Sequence, residues 1–336
     1  MTAPTCDLVL MSRDHDSVDS LADQAQRAEA YGFSHVTMGE TTGYNIVPVL
    51  TVLAERTDDI GITDDVISPY SRAPTVLGQT ALTMHDVSDG RFRMSLGTSS
   101  PAIAERWHGQ EFDRPLRRLR ETIDVVRQVC AGGDVDYDGE FYDLGGMSYE
   151  GEVPADPPAI DVAALGPKAV ELAGRFADGW IPQLFTLDGL DERMDDLRRG
   201  ADLGDRNADD LRVSPIVRCC ATEDGETART MARQMIAFLI GAYGPFYGDS
   251  IAEQGYEEAV EEIRAAWEDR DTAAMAAALP DELLDAVAAT GTPEDVRAKV
   301  EDFAAVDGVD AVRVGFVSGM SQEHKETTME AVTGDR

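Results

Sequence analysis

The sequence predicts an α/β fold, a (β/α)8 TIM barrel with loop insertions. Eight apolar, β-rich runs are spread along the chain, separated by stretches with apolar residues at helical spacing. Several runs are apolar at nearly every position, as strands covered on both faces must be. Eight strands alternating with helices over about 320 residues suit such a barrel better than a doubly wound open sheet, the other arrangement that this alternation allows.

The first four predicted strands are "TCDLVLM" (5–11), "SHVTMG" (34–39), "DIGITDDV" (59–66) and "FRMSLG" (92–97). The last four are "AIDVAA" (159–164), "GWIPQL" (179–184), "RVSPIVRCCA" (212–221) and "DAVRVGFV" (310–317). Between them, Val18, Leu21, Ala22, Ala25 and Ala28 form one helical stripe that Gly32 would terminate. In "TGTPEDVRAKVEDF", Thr292 fits an N-cap, Pro293 the first helical position, and acids fill the first turn. Two segments break the alternation and are expected as insertions. One lies near 132–158 and carries hairpin chemistry at Asp138-Gly139; the other, near 241–290, reads as extra helices opened by "GAYGPFYGDS". With no internal repeat or low-complexity linker, residues 1–336 are expected to form a single domain.

Acidic residues number 64 against 29 basic ones, a net charge of −35. Such a field repels nucleic acid and anionic membrane, so neither is expected as a partner. Acid-rich, lysine-poor surfaces resemble those of salt-loving microbes, where molar salt screens self-repulsion. The first residues lack a basic-then-apolar signal and no run approaches a membrane span, which predicts a cytoplasmic protein. The four cysteines show no C-x-x-C spacing, so neither a disulfide framework nor a metal site is expected.

In a barrel, function gathers where strands end. The second strand leads to Glu40, Thr41 and Thr42; the third to Asp64, Asp65, Val66, Tyr70 and Arg72. The fourth leads to Gly97, Thr98, Ser99 and Ser100, and the sixth to Gln183. After the fifth, Gly166, Pro167 and Lys168 open a helix, and Lys168 is one of only three lysines in the chain. Free N–H groups of that first turn, the helix dipole and the ammonium together suit an anion, although the same residues also make an ordinary strand-to-helix turn. One pocket is expected at this rim, bordered by Glu40, Val66, Thr98 and Gly166. Structural roles compete with functional ones. Glu40 also reads as a helix cap, Thr98 and Ser99 as N-caps for a helix at 101–108, and Tyr70 and Arg72 as loop braces. His35, His85 and His108 read as structural, and Trp107 as a residue that could border a cleft.

The segments "QAQRAEAYGFSHVTMGE", "DDVISPYSRAPTVLGQTALTMHDVSDGRFRMSLGTS", "ALGPKAVELAGRFADGW" and "TGTPEDVRAKVEDFAAVDGVDAVRVGF" carry a resemblance. They resemble the luciferase-like flavin and deazaflavin oxidoreductases, in particular the coenzyme F420-dependent branch that includes methylenetetrahydromethanopterin reductase. The resemblance implies a bacterial luciferase-like barrel whose cofactor ring rests on a bulge of the third strand. Family members carry a non-prolyl cis peptide there, which maps to Asp65–Val66. It also implies that Gly166, Pro167 and Lys168 hold the cofactor phosphate, and that Gly97, Thr98, Ser99 and Gln183 line the same cleft. Glu40 would act at the cofactor, with Thr41, Tyr70 and Ser100 facing a small-molecule substrate.

Two departures accompany the match: Thr41 replaces the histidine that many members carry, and Ser100 replaces a carboxylate. The implied activity is hydride transfer between reduced F420 and a small organic substrate, with a pterin-type one-carbon carrier among the candidates. The alternatives are an FMN-dependent luciferase-like monooxygenase and a non-catalytic flavin-binding paralogue. A homo-oligomer is expected.

Overall fold

A computed structural model describes residues 3–334. Its strands are β1 (Cys6–Leu10), β2 (His35–Met38), β3 (Gly61–Asp64), β4 (Phe92–Gly97), β5 (Asp134–Asp138), β6 (Asp143–Ser148), β7 (Ile160–Ala163), β8 (Gly179–Ile181), β9 (Arg212–Val213), β10 (Ile216–Ala221), β11 (Ala288–Gly291) and β12 (Val312–Phe316). β5 and β6 form a separate antiparallel hairpin inside the first expected insertion. The other ten run parallel, in the order β11-β10-β12-β1-β2-β3-β4-β7-β8-β9.

That ladder closes on itself. β9 and β10 are the two halves of the predicted run 212–221, interrupted at Ser214-Pro215, where proline can donate no ladder hydrogen bond. On one side, Ser214 N–H donates to the Trp180 carbonyl at 3.0 Å and Ile216 N–H to that of Pro182 at 2.8 Å. On the other, Arg313 N–H donates to the Pro215 carbonyl at 2.8 Å. Counting β9 and β10 as one strand, eight parallel strands make a ring.

β11 corrects the expectation of helices alone across 241–290. "AATG" is short and alanine-rich, so nothing local marks it as a strand. It becomes one because β10, past Ile216, leaves β8 and offers a free edge, along which Arg218 to Ala221 pair with Ala288 to Gly291. The helices form as expected. Val18–Ala30 ends with Gly32 at φ 78°, and Thr292 with Asp295 makes a reciprocal capping box before Pro293–Ala304.

Inward side chains fall into tiers, because alternate strand residues share a face. The lower tier is charged. Arg212 grips Asp7 through both carboxylate oxygens (2.9 and 2.7 Å), Arg93 holds Asp161, and His35 lies 3.3 Å from Asp7. Arg313, fully buried, stands 3.8 Å from Asp7, 3.5 Å from Asp65 and 3.7 Å from Asp161, and its Nε donates to Ser214 Oγ at 2.9 Å. Burial pushes the Asp7 carboxyl up, but the His35 hydrogen bond and the two guanidinium groups outweigh it and hold the group below the usual carboxylate range. Above lies an apolar tier of Val9, Ile181 and Ile216, with Val66 and Ala163 against it. The mouth begins on top of that tier.

All four cysteines are free and buried, and no described helix is long and apolar enough to cross a membrane. With a net charge of −35, screening is expected to relieve surface repulsion. The melting midpoint should rise by about 5 °C or more from low to molar KCl, at roughly 2 °C per kcal/mol. A midpoint that falls with salt would contradict the charge argument.

Candidate active site

A bulge ends β3 at the barrel mouth. The Asp65–Val66 peptide is cis. Asp64, fully buried, accepts from Ile67 N–H at 2.9 Å and from Ser95 N–H at 2.8 Å, which ties the bulge to β4. Burial pushes its carboxyl up to about 8 against those two hydrogen bonds. Asp65 turns inward, accepting from Thr37 Oγ1 at 3.1 Å and facing Arg313.

The neighbouring strands make room for this shape with glycine. A Cβ on Gly39 would lie 2.6 Å from the Asp65 carbonyl oxygen, and one on Gly97 would lie 2.6 Å from Val66 Cγ2. Gly39 had no place among the sequence candidates; "MGE" at a strand end was its only signal. Gly39→Ala is expected to cost about 1–3 kcal/mol, because the obstacle is backbone rather than a movable side chain. Chemical denaturation checks this, and a neutral effect would mean that the bulge shifts freely.

Beside the bulge, a cleft of about 310 Å³ is lined by Glu40, Thr41, Tyr44, Arg72, Trp107 and His108, among others. Glu40 is held at both carboxylate oxygens by Arg72, whose Nη2 donates to Oε1 at 2.7 Å, and Oε1 also accepts from Ile46 N–H at 3.3 Å. The glutamate therefore caps the helix Ile46–Arg56 and pairs with Arg72 at once. Trp107, 58% exposed, forms a wall of the cleft.

The cleft does not extend to Val66, Thr98 or Gly166, contrary to the expected border. Residues 244–247 roof the centre of the mouth. Tyr247 OH donates to Gln183 Oε1 at 2.8 Å, and Phe246 packs on Phe112, which stacks on Tyr70. A Cβ on Gly244 would come within 3.7 Å of Ser100 Cβ. Tyr70 is itself buried, with the Arg118 guanidinium 4.9 Å from its ring centroid, which makes it a brace beneath the roof.

Thr98 and Ser99 are half-buried, and Ser99 has φ 62°. Neither caps the next helix. Ser100 does, accepting from Ile103 N–H at 3.4 Å, and the segment Ala102–Trp107 is a π-helix. Gly166 caps the helix Pro167–Phe176 without a side-chain acceptor; a Cβ there would meet nothing, and Pro167 and Lys168 are exposed. That helix start is open, uncapped and beside a cation.

The luciferase-like monooxygenase family model matches residues 2–310. An oxidoreductase of Mycobacterium tuberculosis described as coenzyme F420-dependent is 31% identical, over 82% of this chain and 85% of its own. A 5,10-methylenetetrahydromethanopterin reductase of Archaeoglobus fulgidus is 26% identical, over 87% and 88%. Among solved structures, the coenzyme F420 dependent tetrahydromethanopterin reductase of Methanopyrus kandleri shares the fold. Its TM-score is 0.81 at 21% identity, covering 99% of this chain and 98% of that one. With the family model spanning most of the sequence, the chain belongs to the luciferase-like monooxygenase family.

Proposed function

We propose that this protein is a coenzyme F420-dependent oxidoreductase acting on a small organic substrate. The observation that carries the reading is the bulge at the end of β3, on which Gly39 and Gly97 of the neighbouring strands pack so closely that neither position has room for a Cβ. Relatives described as F420-dependent favour a deazaflavin over FMN. Bound there, a 5-deazaflavin supplies a two-electron hydride carrier that reacts poorly with oxygen.

The protein's own residues bind, orient and exclude water. Gly166, Pro167 and Lys168 would hold the cofactor phosphate at the open helix start. Val66 and Gly97 would back the ring, with Asp65, Thr98, Ser99 and Gln183 near its edges. Glu40 would orient the cofactor rather than move protons, since Arg72 and Ile46 N–H already occupy its oxygens. Thr41 and Ser100 offer no acid. A substrate that accepts hydride at a cationic or iminium-like carbon suits this site, and a pterin-type one-carbon carrier is of that class.

Titration of the protein in high salt with F420 and with FMN, followed by fluorescence, tests the reading. F420 should bind the more tightly. Lys168→Ala should weaken it about 10- to 100-fold through loss of a charge-assisted contact. Preferential FMN binding, with oxygen-dependent product formation, would promote a monooxygenase instead; unchanged affinity in Lys168→Ala would reduce the loop to a turn.

A further inference from the structure

One arginine in the barrel mouth lacks a partner in a chain where acids outnumber bases 64 to 29. Arg218 lies on β10 two residues beyond Ile216, so its side chain shares the inward face and stands one step above the apolar tier. It is 7% exposed, and no described carboxylate reaches ion-pairing distance of it. Its Nε is buried with no hydrogen-bond partner, and Nη1 finds only the Met11 thioether at 3.8 Å, a weak acceptor. Asp65 is the nearest acid to act on it, but that carboxylate is already held by Thr37 and faces Arg313.

Three further observations converge on the same point. Gln183 stands on the inward face two residues beyond Ile181, and its Nε2 is likewise buried without a partner while its Oε1 is taken by Tyr247. β12 is cut back to glycine there: a Cβ on Gly315 would lie 2.7 Å from Arg218 Nη1. Arg13, exposed, also touches the Met11 sulfur, at 3.7 Å, and has no acidic partner among the described residues. Unsatisfied donors and uncompensated positive charge, buried together, are costly unless something accepts from them.

We infer that Arg218 and Gln183 form a substrate subsite for a carboxylate, roofed by Tyr247 and approached past Arg13. One buried guanidinium balances one negative charge, and its edge with the adjacent amide offers N–H groups to the two oxygens of a planar carboxylate. The reacting molecule would therefore be an organic acid or bear a carboxylate arm, which narrows the substrate class of the proposed oxidoreductase and rests on the mouth being its reaction site.

The test uses 13C-labelled acetate as probe on the full chain at constant potassium concentration, with line broadening as readout and inorganic phosphate as a second probe. Acetate should bind saturably. Arg218→Gln should weaken it at least about 10-fold, and Arg218→Lys less so. The lysine variant serves if the glutamine variant fails to fold, and should still bind acetate more weakly than the parent. Absence of saturable binding, or undiminished binding in both Arg218 variants, would overturn the subsite. Tighter binding of phosphate with the same Arg218 dependence would overturn its assignment to a carboxylate. F420 titrated into the same samples reports separately on the cofactor reading. Loss of acetate binding alone leaves that reading standing.

Discussion

Glu40→Ala is expected to destabilise the protein by about 3 kcal/mol and to weaken cofactor binding, whereas Glu40→Gln should retain most of the hydride-transfer rate. The alanine variant leaves Arg72, only 16% exposed at its side chain, without its carboxylate, and leaves Ile46 N–H without its acceptor. Glutamine keeps one oxygen for Arg72 and the shape of the cap, so its cost should be nearer 1–2 kcal/mol. Chemical denaturation gives the stability terms, and single-turnover oxidation of reduced F420 gives the rate. A rate collapse in the glutamine variant with unchanged cofactor affinity would make Glu40 a proton carrier, in conflict with its pairing to Arg72.

The second large effect lies beneath the site. Arg313→Met should cost about 3–5 kcal/mol, because a fully buried guanidinium serves three buried aspartates. Asp7 keeps Arg212 and Asp161 keeps Arg93, so the loss falls on Asp65, which retains the Thr37 hydroxyl and the unpaired, more distant charge of Arg218. Burial already holds the Asp65 carboxyl above its ordinary range. Without Arg313 its folded pKa should rise further above the unfolded value. A raised carboxyl contributes stability that is present below the unfolded pKa and lost as pH climbs through the folded one. The deficit of the variant should therefore shrink from neutral pH toward pH 5, near the unfolded carboxylate range of about 4. Adding Asp65→Asn should recover part of it. A deficit independent of pH would mean that the arginine acts by packing alone.

The charged interior was partly legible. "CDLVL", "IDVA", "IVRCCA" and "AVRVGF" each set one charge inside an apolar strand, at a position that period-two alternation places on the same face as the residues two positions away. That signal marks Asp7, Asp161, Arg218 and Arg313 as buried charges. It does not say that three are paired and one is not, since pairing depends on which strands face each other across the ring. The same limit applies to Glu40 and Arg72, which are 32 residues apart in sequence and joined only once the second and third strands are neighbours.

By itself the sequence determined the eight strands of the ring, the helix ends at Gly32 and Thr292, the hairpin and the Gly-Pro-Lys helix start, because these follow from local periodicity and from backbone preferences of single residues. Through resemblance it also marked the Asp65–Val66 bulge. Only the tertiary structure decided that 212–221 closes the ring while sparing an edge for β11, and that Gly39 and Gly97 clear the bulge. The same is true of Tyr247, which reaches to Gln183, and of Arg218 left without a partner. Each of these is a relation between segments that no local pattern encodes, fixed when eight strands must share one circumference and their inward side chains one narrow core.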